Sequence, residues 1–306
     1  MNYIGISSGF HDAALSVIDD TGNILFAGHS ERYSKDKHTK HLCYDIVEDS
    51  LSYTSSQDIE IHYYERPWMK FLRQLRSGEN PKIGNLFVKE IIGAGLIHKL
   101  QDGRSGKVHT HSHHLSHAAA GFQTSPYDDA TVVVIDAIGE FDTISIYNAW
   151  YDKNGVAKYK KLWGQRYPDS IGLFYSAMTQ RVGLRPLDEE YILMGMAAYG
   201  NTTALSEMSN TLVESFKDIT FKDNLQIGVP DNFLEGANEM NIATSTQLIA
   251  EQLITSVISK ARMLGGSKNL VYSGGVALNC LANRLLGNFY DNIWICLLYT
   301  SDAADE

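Results

Sequence analysis

The sequence predicts an α/β protein composed of two related lobes. Its 306 residues are too many for one small module and suit two packed lobes. A pattern of three alternating strands occurs near the start and again near residue 130, and helical segments follow each time. The two patterns match at a nearly constant offset, which favours a duplicated lobe, although two hairpins can also resemble each other by chance.

The first pattern predicts a meander of three β-strands. Its strands are predicted at residues 3–7, 13–18 and 23–29. Residues 8–12 form a tight connection, and residues 19–22 form a turn. From about residue 42 to residue 100 the pattern becomes mostly helical, with Pro and Gly as interruptions.

The second pattern predicts the same meander again. Its strands are predicted at residues 130–135, 143–150 and 156–163. Gly9 and Asp12 match Gly139 and Asp142 at an offset of 130 residues. Helices are then predicted at residues 170–181, 187–199 and 245–263. The last predicted elements are a strand at residues 269–272, a helix at 276–286 and a strand that reaches residue 295.

Composition excludes several classes of protein. Asp and Glu number 36 against 26 Lys and Arg, and a formal charge of -10 disfavours a broad face for nucleic acid. Three cysteines cannot form a disulfide framework, which indicates a reducing compartment. No apolar run is long enough to span a membrane, and His11 and Asp12 interrupt the first apolar stretch, unlike in a signal peptide. We expect a cytoplasmic protein that binds neither nucleic acid nor membranes.

A histidine cluster is the most prominent chemical feature. Five of the 11 histidines lie within residues 109–117, and the Ala-rich stretch after Ser116 predicts a helix. His113 and His117 then occupy positions i and i+4 on one helix face, where two imidazoles can hold one metal ion. His114 points elsewhere, and a third ligand, expected to be a carboxylate, must come from another segment. The alternative is a solvated or anion-binding loop rich in His.

A second candidate site lies between a predicted strand and a predicted helix. Ser273, Gly274 and Gly275 occupy this junction, where glycines allow backbone N–H groups to approach a phosphate. Asn279 lies one turn into the predicted helix and could contact a sugar or a base. The alternative is ordinary helix capping.

Two turns add further candidate residues. His11 and Asp12 follow the first strand, and His11 could act as a general base because its ordinary pKa is about 6.5. The alternative is a turn in which Asp12 bonds its own backbone. Asp136 and Glu140 flank the matching turn of the second meander, where they could hold a metal or a ribose, or simply form the turn.

Taken together, these stretches resemble the O-carbamoyltransferase family of the NodU type. The resembling stretches occur in the family's order and extend to about residue 295. They are Gly-Phe-His-Asp-Ala-Ala at 9–14, Ser-Glu-Arg-Tyr-Ser at 30–34, His-His-Leu-Ser-His-Ala at 113–118, Asp-Ala-Ile-Gly-Glu at 136–140, Met-Gly-Met-Ala-Ala-Tyr-Gly at 194–200 and Ser-Gly-Gly-Val-Ala-Leu-Asn at 273–279.

The resemblance implies a duplicated actin-like fold (the ASKHA or ribonuclease H-like type), with mixed β-sheets in two lobes at residues 1–125 and 126–295. It also implies a reaction in two steps. A YrdC-like domain makes carbamoyl-adenylate from carbamoyl phosphate and ATP. The actin-like domain then transfers the carbamoyl group to a hydroxyl of a small acceptor, such as a sugar.

The resemblance also implies roles for individual residues. His113 and His117 would bind a divalent metal of the Fe²⁺ type, and His11 would be catalytic. The adenylate, or ATP, would be contacted by Asp136, Gly139, Ser273, Gly274, Gly275 and Asn279.

The chain departs from the family in three places. Its 306 residues contain no Gly-Asp-x-Gly stretch to supply a metal-binding Asp, and we expect the YrdC-like domain to be absent from this fragment. Ile192 and Leu193 stand where the family often has Lys. Residues 296–306 resemble translated sequencing-adapter read-through, so we expect a non-native tail. The chain is accordingly expected to be a fragment that is inactive alone.

Two other functions remain open at this stage. A tRNA threonylcarbamoyl transferase shares the implied fold and a His-x-x-x-His pair, but the setting of His117 between Ser116 and Ala118 and the acidic balance disfavour it. A non-catalytic ATP-binding module would bind nucleotide without any metal.

Overall fold

The structure, a computed structural model, describes residues 1–10, 12–54, 58–101, 103 and 106–296. Its described part divides into two compact units, residues 1–116 and residues 117–296. The division falls between Ser116 and His117, inside one continuous helix (His113–Gln123). The sequence predicts the change of lobe after residue 125, and that boundary stays a prediction.

The first unit is built on a five-stranded mixed sheet with the order β3-β2-β1-β4-β5. The strands are β1 (Asn2–Ser7), β2 (Ala14–Asp19), β3 (Ile24–His29), β4 (Ile59–Tyr63) and β5 (Gly106–Thr110). The helices are α1 (Ser30–Ser34), α2 (Tyr44–Ser52), α3 (Pro67–Arg76), α4 (Val88–Ile92) and α5 (Ala94–Gln101). Alternate residues along β1 are buried, as the period of two in a strand requires.

The second unit is built on a five-stranded sheet with the order β12-β11-β6-β7-β8. Its strands are β6 (Asp129–Gly139), β7 (Asp142–Tyr151), β8 (Ala157–Arg166), β11 (Asn269–Ser273) and β12 (Asn292–Ile295), and a separate hairpin is formed by β9 (Val213–Ser215) and β10 (Thr220–Phe221). The helices are α6 (His113–Gln123), which begins in the first unit, α7 (Ile171–Arg181), α8 (Glu190–Met196), α9 (Leu205–Leu212), α10 (Glu239–Leu264) and α11 (Cys280–Asn283).

The two sheets share one topology, so the predicted duplication is confirmed. In each sheet, three consecutive antiparallel strands are followed by two strands that lie parallel to the first. The arrangement 3-2-1-4-5 is the sheet of actin-like, ribonuclease H-like lobes. The predicted α/β class with mixed sheets in two lobes is therefore confirmed.

Strands β4 and β5 were missed by the sequence analysis. Strand β4 falls in the region predicted to be mostly helical, and Val108 is the one large aliphatic residue of β5. Both strands pair in parallel with partners far away in the chain. Parallel pairing leaves no local turn in the sequence, and local turns are what identified the antiparallel strands.

The continuous helix predicted at residues 276–286 is wrong. The chain instead forms a 3₁₀ turn at Gly275–Leu278, then helix α11, then a second 3₁₀ turn at Leu286–Asn288. Asn279 interrupts the helix because its ψ of 86° is not helical and its side chain accepts the N–H of Ala282 as an N-cap.

The core of the second unit places two strand ends side by side. Strands β6 and β11 run in parallel, and residues 130–135 of β6 are all buried. Helix α10, the longest of the described part of the chain, packs against this core with 13 buried residues. The carboxyl ends of β6 and β11 therefore open at one edge, the place where α/β sheets commonly bind ligands.

Across the described ranges, no helix is both long and apolar enough to cross a lipid bilayer.

We predict that Tyr63→Phe destabilises the first unit by about 1–3 kcal/mol, because it leaves a buried carbonyl without its donor. The Tyr63 hydroxyl is completely buried and donates to the Ser8 carbonyl at 2.5 Å. Denaturant unfolding of both variants measures the effect, with the exposed Tyr53→Phe as the matched control, expected to change stability by less than about 0.5 kcal/mol. Equal stability of the two variants would contradict the role of this hydrogen bond.

Candidate functional site

Helix α6 carries the histidine pair on one face, as predicted. His113 and His117 lie one turn apart in a helix that begins at His113. His114, the intervening histidine, is completely buried, whereas His113 and His117 are partly exposed. Helix α6 lies close to β11, because a Cβ at Gly121 would come within 2.8 Å of the Val271 side chain.

Strand β6 brings a carboxylate to this histidine pair. The register between β6 and β7 shifts between Ile135 and Gly139, which forms a bulge at the end of β6. Asp136 lies in this bulge, with Oδ2 at 3.3 Å from His117 Nε2. Its Oδ1 accepts the N–H of Ala137 at 2.8 Å, which fixes the carboxylate.

One ligand atom each from His113, His117 and Asp136 lie within 4.8 Å of one another. All three side chains are partly exposed, so ligands from solvent can complete a coordination shell. Two imidazoles and one carboxylate form a donor set that suits divalent iron and related metals and leaves positions open. The three residues therefore fit a divalent metal, with Asp136 as the carboxylate of the group.

A buried glutamate supports the first histidine of the pair. Glu65 Oε2 lies 3.7 Å from His113 Nδ1, and Glu65 Oε1 accepts from Lys70 Nζ at 2.7 Å. Burial alone would raise the pKa of Glu65, but His113 and Lys70 outweigh it and hold the pKa below its ordinary value. A carboxylate behind a ligating imidazole fixes its orientation. Glu65 was not predicted from the sequence, since no motif marks it.

The glycine loop after β11 lies directly against the end of β6. Ser273 is completely buried, and its hydroxyl donates to the His117 carbonyl at 2.9 Å. Gly274 has a φ of +93°, and a Cβ there would lie 2.3 Å from the Ile135 carbonyl oxygen. A Cβ at Gly275 would lie 3.1 Å from Asp136 Oδ1. The predicted loop and the predicted metal ligands are thus neighbours.

Asn279 and Gly139, two of the predicted nucleotide-contacting residues, each pair with another residue of the protein. The Asn279 amide exchanges two hydrogen bonds with the Gln247 amide, at 2.9 and 3.0 Å, and Gln247 also accepts from the Tyr175 hydroxyl. Gly139 is buried where β6 turns into β7 and pairs with Asp142. Contact of either residue with a nucleotide stays a prediction.

The other members of the histidine cluster belong to a different group. His109 and His111 each stack on His62 of β4, with ring centroids 5.1 Å apart. His62 Nδ1 and His111 Nε2 are 2.8 Å apart, so they share one hydrogen bond. Burial lowers the pKa of both His62 and His111, which favours their neutral forms. His11, the predicted catalytic residue, lies outside the described residues.

We predict that Gly274→Ala destabilises the second unit by at least about 1–3 kcal/mol, because Ala is strained at this φ and its Cβ meets the β6 backbone. Gly266→Ala is the matched control, since a Cβ there has nothing within 4 Å. Thermal and denaturant unfolding compare the two variants. A Gly274→Ala protein as stable as the control would contradict the close packing of the loop on β6.

Residues 60–303 match the family model described as carbamoyltransferase N-terminus. An uncharacterized protein of Synechocystis is 31% identical over 95% of this chain and 54% of its own length. The nodulation protein NolNO of Sinorhizobium fredii is 25% identical over 90% of this chain and 42% of its own length.

One similar solved structure is that of a ROK family protein of Streptococcus pneumoniae in complex with sucrose, with a TM-score of 0.49 and 11% sequence identity. The superposition covers 99% of this chain and 94% of the ROK family chain. This chain spans about half the length of the curated relatives it matches. The family model covers most of the chain, and the resemblance seen in its motifs is confirmed. The chain belongs to the carbamoyltransferase family and carries its N-terminal region.

Proposed function

We propose that this chain is the acceptor-side part of an O-carbamoyltransferase. It would transfer a carbamoyl group from carbamoyl-adenylate, formed from carbamoyl phosphate and ATP, to a hydroxyl of a small acceptor such as a sugar. The observation that carries the proposal is the grouping of His113, His117 and Asp136 beside a glycine loop, in a chain of this family.

In this proposal His113, His117 and Asp136 hold a divalent metal, with Fe²⁺ as the expected ion. When bound, such a metal acts as a Lewis acid that polarises the carbamoyl carbonyl. The protein's own contribution is to fix the ligands. Glu65 orients the His113 ring, and the Ala137 N–H orients the Asp136 carboxylate.

The adenylate would lie on the loop after β11. Ser273 uses its hydroxyl to bind the His117 carbonyl, and Asn279 uses its amide to bind Gln247. We therefore assign the phosphate contact chiefly to the backbone of Gly274 and Gly275, which needs no side chain. Asp136 and Gly139, at the neighbouring bulge and turn, would form the other wall of the nucleotide site.

The transfer step needs a base for the acceptor. The acceptor oxygen would form a bond to the carbamoyl carbon, the bond from that carbon to the adenylate phosphate oxygen would break, and AMP would leave. The hydroxyl proton would pass to His11, which follows the first strand of the first unit. This role of His11 rests on its place in the Gly-Phe-His-Asp stretch.

We predict that His117→Ala lowers the affinity of the chain for Fe²⁺ by at least about 100-fold, because one of the two imidazoles and its contact with Asp136 are lost. Metal stoichiometry after anaerobic loading measures this effect. His98→Ala removes an exposed helical histidine and is the matched control, expected to keep full metal content.

The same variants test transfer when a YrdC-type enzyme, carbamoyl phosphate, ATP and sugar acceptors are supplied. We expect no labelled product with His117→Ala under conditions where the full enzyme system is active. Retained transfer, or unchanged metal content, in a folded His117→Ala protein would contradict the assigned role. Nucleotide binding by a wild-type protein that takes up no metal would instead favour a non-catalytic ATP-binding module.

A further inference from the structure

We propose that Asp12, Glu31 and His38 form a second divalent-cation site, located in the first unit. One ligand atom from each of these side chains lies within 4.8 Å of the other two. The group shares no residue with the His113, His117 and Asp136 cluster. The proposal does not depend on the proposed transferase function.

The local geometry brings the three side chains close together. His38 Nδ1 lies 3.0 Å from Asp12 Oδ1. The backbone N–H of His38 donates to Glu31 Oε2 at 3.1 Å, which holds the glutamate against the same loop. These short separations allow one ion to contact all three side chains after small side-chain movements.

Burial and charge point to a cation as the ligand. The Glu31 side chain is only 5% exposed, and the Asp12 side chain is 13% exposed. Among the described residues, the Arg32 guanidinium is the cationic group paired with Glu31, and its Nε lies 3.8 Å from Oε1, which is too far for a hydrogen bond. A buried carboxylate needs strong compensation of its charge, and a bound divalent cation supplies it.

The backbone holds the ligands in place before any ion binds. The N–H of Ala13 donates to the Thr39 carbonyl at 2.9 Å, and the N–H of Ser30 donates to the Ala13 carbonyl at 2.7 Å. These bonds tie the segments that carry Asp12, Glu31 and His38 to each other. A site whose ligands are fixed in advance loses little conformational entropy when the ion binds.

The donor set determines the class of ion. Two carboxylates and one imidazole are harder than the two imidazoles and one carboxylate of the other cluster, so we expect a preference for Mn²⁺. Three protein ligands leave coordination positions for water or for an oxygen of a bound anion. Mn²⁺ is also a practical probe, because its free and bound forms differ in electron paramagnetic resonance.

The experiment is a Mn²⁺ titration of the purified chain in the His117→Ala background, which weakens the other cluster. We expect one remaining bound Mn²⁺ per chain. Adding Glu31→Gln should lower the affinity of this ion by at least about tenfold, because a buried charged ligand becomes neutral. Adding Asp36→Asn, which removes the same charge from an exposed position of the same loop, should change the affinity less than twofold.

His38→Ala is the second variant and decides the test if Glu31→Gln does not fold. The His38 side chain is 40% exposed, so we expect its removal to leave the protein folded. It should also lower the affinity by at least about tenfold. Absence of bound Mn²⁺ in the His117→Ala background would overturn the proposal. So would a folded Glu31→Gln or His38→Ala variant that binds Mn²⁺ as tightly as the Asp36→Asn control.

Discussion

The close contact between the loop after β11 and the end of β6 is the constraint on which the candidate site depends. No side chain fits at residue 274, because a Cβ there would overlap the carbonyl of Ile135. The Ser273 hydroxyl then reaches the backbone of His117 and joins helix α6 to the same strand ends. The side chains of the candidate metal site lie beside the glycine loop because β6 and β11 run in parallel and end together.

Hydrogen bonds within the protein already occupy the Asn279 side chain at the end of the loop, so it is not available to select a ligand. Asn279 caps helix α11 and pairs with Gln247, and Gln247 is in turn bonded to Tyr175 and Glu251. Such a connected set of buried hydrogen bonds fixes the loop, because no side chain in the set can move without breaking a bond to another. Under the proposed function, recognition at this edge would then fall to backbone groups and to Asp136.

The sequence predicted what depends on local pattern. The strands of both meanders and the i, i+4 histidine pair follow from alternation, turns and helix periodicity within short stretches. Strands β4 and β5 were missed because their pairing is parallel and distant in the chain. The break at Asn279 was missed because a single capping side chain, rather than Pro or Gly, stops the helix.

Site residues that come together through tertiary contacts could be predicted only in part from the sequence. Asp136 was proposed as a contact for metal or ribose, but its approach to His117 depends on a bulge that no local pattern marks. His38 lies 26 residues from Asp12 in the chain, and backbone bonds such as those around Ala13 bring their two segments together. Glu65 is likewise identified by its burial behind His113, which the sequence does not display.

The most direct test of the account is an anomalous-diffraction measurement at the iron edge on crystals of the anaerobically loaded chain. The account predicts an anomalous peak bounded by His113, His117 and Asp136, with ligand distances of about 2.0–2.2 Å, as is usual for nitrogen and oxygen donors. A loaded crystal with no peak at these residues, or with iron held by other side chains, would contradict it.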